Sequence, residues 1–227
     1  LNTRNSDLQI TTNDIGLSGT INSGTASTKL LVSDDGMIGL GDTGGDLSIT
    51  GVELENITAT GLTIGKDTNG SITMDNLTAA NSANITSKLE LNTDKSITFS
   101  NKDSVFSSFD LNLNADNGIV LNQNVTSAGT TTIDSDVDND GTGNFTIAKS
   151  KELKTANNTL QITANDVDLS GTLNSGTAST KLLVSDDGTI GLGDTSGNFS
   201  MTGAELQNIT AKELTIGKDT NGSIIVD

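Results

Sequence analysis

The sequence predicts an all-β protein folded as a right-handed parallel β-helix, a β-solenoid in which short strands stack coil upon coil. Three observations support this prediction: a long repeat without gaps, a finer rhythm of short apolar triplets, and the near absence of large aromatic side chains. Across 227 residues we expect about 10 coils of roughly 22 residues, forming one continuous solenoid over residues 1–227.

The long repeat has a period of 152 residues. Residues 153–227 align with residues 1–75 without a gap, and 56 of the 75 positions are identical. Residues 1–152 are therefore one full copy of a super-repeat, and residues 153–227 are half of a second copy. A fixed period of this kind is typical of arrays in which each unit contacts only its neighbours. We expect the natural protein to be longer and to contain further copies of the repeat in cis.

Within the super-repeat, apolar residues alternate with polar ones in triplets such as Leu8-Gln-Ile10 and Leu89-Glu-Leu91. Alternation with a period of two indicates a strand whose outer pair faces a core while the middle residue faces solvent. Leu8 and Leu30 are 22 residues apart, as are Leu89 and Leu111, which sets the expected coil length. The aliphatic column predicted for the core includes Leu8, Ile10, Leu17, Leu40, Leu62, Ile64, Leu89 and Leu91.

The segments between triplets are rich in Gly, Asn and Asp, which tolerate the positive φ angles of tight turns. Examples are Ser33 to Gly36, Asp67 to Gly70 and Asp116 to Gly118. Helical periodicity is nearly absent. Only Val52 to Ile57 has the pattern of a single helical turn, and we interpret it as a bend.

A β-sandwich or barrel would also be built from short strands separated by turns. The solenoid is favoured because the repeat is gapless and because Trp and Tyr, common in sandwich cores, do not occur. Pro does not occur either, and this suits coils whose backbone donates hydrogen bonds to neighbours on both sides.

The charge of the chain excludes some classes of partner. With 29 acidic and 12 basic residues the formal net charge is −17, which argues against binding to nucleic acid or to anionic membrane surfaces. No apolar run approaches 18 residues, so we expect no membrane insertion. The sequence contains no Cys, and therefore no disulfide framework.

The segments Leu160 to Thr177, Ala204 to Gly217 and Leu113 to Leu121 resemble repeats of filamentous-haemagglutinin-like exoproteins, large adhesins exported by two-partner secretion. The resemblance implies a right-handed parallel β-helix at the bacterial cell surface or outside the cell. It also implies the role of an adhesive stalk or fibre, and it implies no catalytic residues. It does not indicate which host-cell or surface ligand such an adhesin would bind.

We therefore expect a structural, non-catalytic rod or stalk of a bacterial surface adhesin. An alternative is a subunit of an extracellular filament or sheath, which would self-associate into fibres. A third class, enzymes acting on polysaccharides, also uses β-helices, but such sites need acid–base groups beside aromatic or cationic residues. With no His, Tyr or Trp and a single arginine, Arg4, we expect neither an enzyme nor an organic cofactor.

The sharpest local motif is an acidic segment in which Asp136, Asp138, Asp140 and Gly141 match the first half of a calcium loop. Alternate carboxylates can converge on one hard cation while glycine turns the chain. The position expected to supply a bidentate glutamate is Ile147. Two interpretations stay open: a solvated acidic turn lying outside the coil stack, or a weak calcium site.

Other acidic turns and several Asn-x-Ser/Thr sequons carry no comparable signal. We interpret Ser33 to Gly36, its copy Ser185 to Gly188, and Asp42 with its copy Asp194 as ordinary turns. The sequons at Asn56, Asn76, Asn84, Asn124 and Asn208 are the chance product of a chain rich in Asn and Thr.

Overall fold

A computed structural model describes residues 1–66 and 68–227, so the predicted turn residue Asp67 lies outside the described residues. Within those residues the chain forms short strands and two single-turn helices, and all strand pairings are parallel. In chain order the elements are β1 (Leu8–Thr12), β2 (Ile21–Asn22), β3 (Ser27–Val32), β4 (Ile38–Gly41), β5 (Leu47–Ile49), α1 (Gly51–Glu55), β6 (Ile57–Gly65), β7 (Ile72–Asp75), β8 (Ile85–Thr93), β9 (Ile97–Phe99), β10 (Ser104–Phe106), β11 (Asp110–Ala115), β12 (Ile119–Leu121), β13 (Val125–Ser127), β14 (Thr131–Asp134), β15 (Phe145–Ile147), β16 (Glu152–Lys154), β17 (Leu160–Ala164), β18 (Val167–Leu169), β19 (Thr172–Asn174), β20 (Ser179–Val184), β21 (Ile190–Leu192), β22 (Phe199–Met201), α2 (Gly203–Gln207), β23 (Ile209–Thr210), β24 (Glu213–Ile216) and β25 (Ile224–Val226).

The strands stack into sheets that form the faces of a solenoid. The long sheet has the order β1-β3-β6-β8-β11-β14-β17-β20-β24, with β2 paired to the start of β6. The second sheet runs β18-β15-β12-β9-β7-β4-β5, and the third runs β10-β13-β16-β19-β23. Strands β22, β21 and β25 form a further three-stranded sheet. The predicted all-β parallel solenoid is therefore confirmed, while its right-handed sense stays a prediction.

The coils differ in length, although their number is close to the roughly ten that the sequence predicts. Along the long sheet, successive paired residues lie 20, 34, 27, 22, 20, 29, 20 and 34 positions apart. The path of the long sheet stacks nine strands, and one 152-residue period holds six coils of unequal length. At about 4.8 Å per stacked strand, its eight steps span roughly 40 Å.

The 22-residue spacing expected from Leu8 and Leu30 does not match the strand pairing, because some inward positions are polar. Leu8 pairs with Thr28 rather than Leu30, and Leu160 pairs with Thr180 rather than Leu182. Both threonines are fully buried. Each hydroxyl is paired with a serine hydroxyl inside the core: Thr28 Oγ1 lies 2.5 Å from Ser23 Oγ, and Thr180 Oγ1 lies 2.7 Å from Ser175 Oγ. Since a buried hydroxyl needs such a partner, apolar spacing alone does not mark the first inward position of these coils.

The predicted aliphatic column forms the centre of the core. Leu40, Leu62, Ile64, Leu89 and Leu91 are at most 1% exposed. Leu8, Ile10 and Leu17 pack against the same core but are only partly buried, because they belong to the first coil. Midway along the rod the Phe99 and Phe106 rings meet edge to face, with centroids 6.3 Å apart. Such aromatic contacts add to the burial energy of the surrounding aliphatic side chains.

One long coil contains a strand that doubles back. Strand β5 lies parallel and adjacent to β4, with Leu47 paired to Ile38 after a connection of only five residues. The connection crosses the outer side of β4, where a Cβ on Gly39 would lie 2.6 Å from the Gly44 carbonyl carbon. A Cβ on Gly45 would likewise lie 2.6 Å from Gly39 N. Two glycines therefore allow two stretches of backbone to touch.

The segment predicted as a bend, Val52 to Ile57, forms a helical turn instead. Thr50 caps α1 by accepting a hydrogen bond from Glu53 N, and Glu53 Oε2 accepts one from Thr50 N at 2.9 Å. This reciprocal arrangement is a capping box. The other oxygen of Glu53 accepts from Leu17 N at 2.8 Å and fastens the turn to the preceding coil.

The elements of residues 8–55 recur in the second copy at an offset of 152 residues, and the second copy adds strand β18. Strands β1 to β5 and helix α1 correspond to β17, β19, β20, β21, β22 and α2, and the Thr202–Glu205 capping box repeats that of Thr50 and Glu53.

No helix within residues 1–66 and 68–227 is long and apolar enough to cross a membrane.

Candidate cation-binding loop

The acidic segment occupies the corner between the long sheet and the second sheet, where β14 ends and β15 begins. The coil that contains it is 29 residues long, compared with 20 for each of the coils on either side. We call residues 136–143 the acidic loop. Ser135 Oγ donates to the Gly143 carbonyl at 3.2 Å and closes the neck of the loop. At Gly143 a side chain would collide with the Ser135 carbonyl, so only glycine fits there.

Asp136 lies inside the solenoid and not outside the coil stack, which corrects the expectation of a loop wholly in solvent. Its side chain is 0% exposed. Oδ2 accepts a short hydrogen bond from the Ser185 hydroxyl, 49 residues further along the chain. Oδ1 is buried and has no hydrogen-bond partner among residues 1–66 and 68–227. Ser185 lies two coils away, since 49 residues equal the next two coil intervals of 29 and 20.

Asp138 and Asp140 are exposed at the mouth of the loop. One carboxylate oxygen from each of Asp136, Asp138 and Asp140 lies within 4.8 Å of the other two. Calcium binds oxygen at 2.3–2.6 Å, so oxygens separated by up to about 5 Å can share one ion. Among the described residues, none of the ion pairs involves these three aspartates.

Asp134 experiences the same concentration of negative charge at the neck of the loop. Burial raises the pKa of its carboxyl above the usual value, and the nearby Asp136 charge acts in the same direction. A hydrogen bond from Asp136 N and the more distant Lys218 charge oppose this shift without reversing it. Lys218 Nζ is hydrogen-bonded to the Ser185 carbonyl at 3.0 Å.

The second half of a calcium loop is not supplied by the neighbouring strand. Ile147 is a buried member of β15 and pairs with Leu121 and Leu169. Of the two oxygens of Asp140, Oδ1 accepts hydrogen bonds from the backbone N–H and the hydroxyl of Thr142. The donor set for a cation therefore consists of three carboxylates, to be completed by loop carbonyls or water.

The other acidic turns are locally satisfied. Asp34 Oδ1 accepts from Gly36 N at 3.2 Å, and Asp186 Oδ1 accepts from Gly188 N at 2.8 Å. Asp42 accepts a hydrogen bond from Lys102 Nζ at 2.9 Å, and this contact, with one from Asn76, holds the pKa of Asp42 below its usual value.

The sequon asparagines have a structural role between coils. In each Asn-apolar-Thr segment the apolar residue faces inward and the asparagine side-chain amide donates to a neighbouring coil. The acceptors are the Leu17 carbonyl for Asn56, the Asp42 carboxylate for Asn76, the Glu55 carbonyl for Asn84, the Asp103 carboxylate for Asn124 and the Leu169 carbonyl for Asn208. The recurring motif thus reflects inter-coil hydrogen bonding.

A shallow groove of about 410 Å³ lies near the first coil, lined by Asp7, Leu8, Gln9, Ser27 and Lys29. These residues offer one carboxylate and one ammonium group on the outer surface of two strands.

Comparison of the chain with protein-family models, with curated proteins and with solved structures gave no match.

Proposed function

We propose that this chain is a structural, non-catalytic segment of an extracellular rod, the stalk of a bacterial surface adhesin. The observation that carries the proposal is the repetition of whole coils along one stacked sheet. Such an array grows by adding coils without altering those already present. A stack of this kind serves to hold a distal part of a protein at a set distance.

The surface supports the same proposal. Outward positions are mostly Thr, Asn, Ser, Asp and Lys, and the formal net charge is −17. Like-charged rods repel one another and stay dispersed. The resemblance of Leu160 to Thr177 to filamentous-haemagglutinin-like exoproteins points to the same bacterial surface setting, as an analogy of pattern.

The experiment that tests this proposal is localisation on intact cells. Antibodies raised against residues 1–227 are applied to whole cells of the source organism, before and after brief external protease treatment. We expect labelling of intact cells that the protease removes. Labelling seen only after the cells are made permeable contradicts an extracellular rod.

A filament or sheath subunit is the second candidate, because the parallel backbone ladder that joins successive coils can equally join one rod to another. Sedimentation velocity at rising protein concentration distinguishes the two: end-to-end polymers support a filament subunit, and a constant monomer supports a stalk segment.

A further inference from the structure

We propose that the acidic loop binds one divalent cation, with calcium as the best-fitting ion, and that the ion ties this loop to the coil stack. The site goes beyond a purely mechanical role for the rod. The observation behind it is the unpartnered, fully buried Oδ1 of Asp136 beside two further carboxylates.

Burying the ionised Asp136 carboxylate is unfavourable unless a positive charge lies beside it. Moving a carboxylate out of water is costly unless hydrogen bonds or an opposite charge compensate for it. Ser185 satisfies only Oδ2, and Oδ1 is left without a donor. A cation held between Oδ1 and the oxygens of Asp138 and Asp140 would supply the missing partner.

The two exposed aspartates bring further oxygen ligands close to the buried carboxylate. Their oxygens lie within 4.8 Å of an oxygen of Asp136, although like charges at this distance repel. Nearby, Lys218 donates to the Ser185 carbonyl and is 3.8 Å from Asp187, so its nearest contacts lie with other groups. Three carboxylates that face one another without a basic partner form a site for a hard cation.

The chemistry of the donors selects the ion. All three ligands are oxygen, and the chain has no Cys or His, so soft or borderline metals gain nothing here. Calcium accepts irregular coordination completed by carbonyls and water, while magnesium requires near-octahedral geometry. An irregular, half-open loop therefore suits calcium better.

The bound ion would act across coils. Asp136 is hydrogen-bonded to Ser185 two coils along the rod, so an ion on Asp136 couples the loop to that coil as well. We expect calcium to stabilise the folded chain, since a ligand that binds only the folded state raises its melting midpoint.

The test uses the whole chain after chelator treatment, titrated with calcium chloride in a calorimeter and melted with and without calcium. The loop variant is Asp138→Asn with Asp140→Asn, both at exposed positions that leave the core intact. The matched control is Asp34→Asn with Asp35→Asn, which removes the same charge from an exposed turn on another coil.

We expect one calcium site in the wild-type chain, at least tenfold weaker binding in the loop variant, and unchanged binding in the control. At about ten times the dissociation constant, calcium should raise the wild-type midpoint by about 3–6 °C. Equal binding by the loop variant and the wild type overturns the proposal. So does an equal response to calcium and magnesium that falls similarly in both variants, because that pattern reflects general charge screening.

Discussion

Leu62 and Leu214 are the same position in two copies of the repeat, and they offer a direct measure of what coil stacking contributes. Leu62 is 0% exposed because β3 and β8 flank it, through Thr28 on one side and Leu89 on the other. Within the described part of the chain Leu214 pairs only with Thr180, and it is 38% exposed. The two leucines thus share chemistry and backbone geometry and differ in whether a coil covers them.

We expect Leu62→Ala to lower the free energy of unfolding by about 3 kcal/mol, in the range for truncating a buried leucine and leaving a cavity. Leu214→Ala should cost less than about 1.5 kcal/mol, because much of the side chain already contacts water and no cavity is enclosed. Urea unfolding followed by circular dichroism measures both values, and the slope with denaturant should not change. Equal losses for the two variants would refute the idea that neighbouring coils supply most of the core energy.

Three further changes probe local features. At pH 7, Asp134→Asn should raise the free energy of unfolding by up to about 1 kcal/mol, a value already reduced for solvent screening. Burial raises the pKa of Asp134 above 3.8, so protonation of Asp134 should stabilise the wild type as pH falls through that raised pKa. The Asp134→Asn variant should lack this gain. Partial burial tends to raise the pKa of Glu53, but hydrogen bonds from Leu17 and Thr50 hold it below 4.5. Its contribution should therefore fade as pH falls below that value, and Glu53→Ala should cost about 1 kcal/mol at neutral pH. Gly45→Ala should lower the free energy of unfolding by about 1–3 kcal/mol through overpacking. Gly44→Ser should change it by no more than about 0.5 kcal/mol, because the added side chain meets open space. Urea unfolding midpoints of the variants test all three predictions.

The repeating strands could be predicted from sequence because their signal is local. A triplet such as Leu89-Glu-Leu91 needs only the period of two to assign its inward and outward faces, and both leucines are 0% exposed. The inward threonines could not be found in this way, since Thr28 is polar and its burial depends on Ser23 as a partner. The helical turn was predicted only as a bend, although Thr50 and Glu53 have the spacing of a capping box.

The candidate site was only half predictable. The spacing of Asp136, Asp138 and Asp140 identified the three carboxylates, and the structure places their oxygens together. The burial of Asp136 and its contact with Ser185 depend on coil lengths of 29 and 20 residues. Insertions set those lengths, and their sequences carry no periodic signal that reveals where the next coil begins.

The same insertions decide how the rod would present its acidic loop. The loop belongs to residues 76–152, the part of the repeat that occurs once in this chain. If further copies follow in cis, every period of six coils adds one loop, spaced by roughly 29 Å at 4.8 Å per coil. Each loop would face the same corner of the stack, because each period places β14 in the long sheet and β15 in the second. Calcium bound per chain should then rise in proportion to the number of full copies, so that cation binding reports the length of the rod.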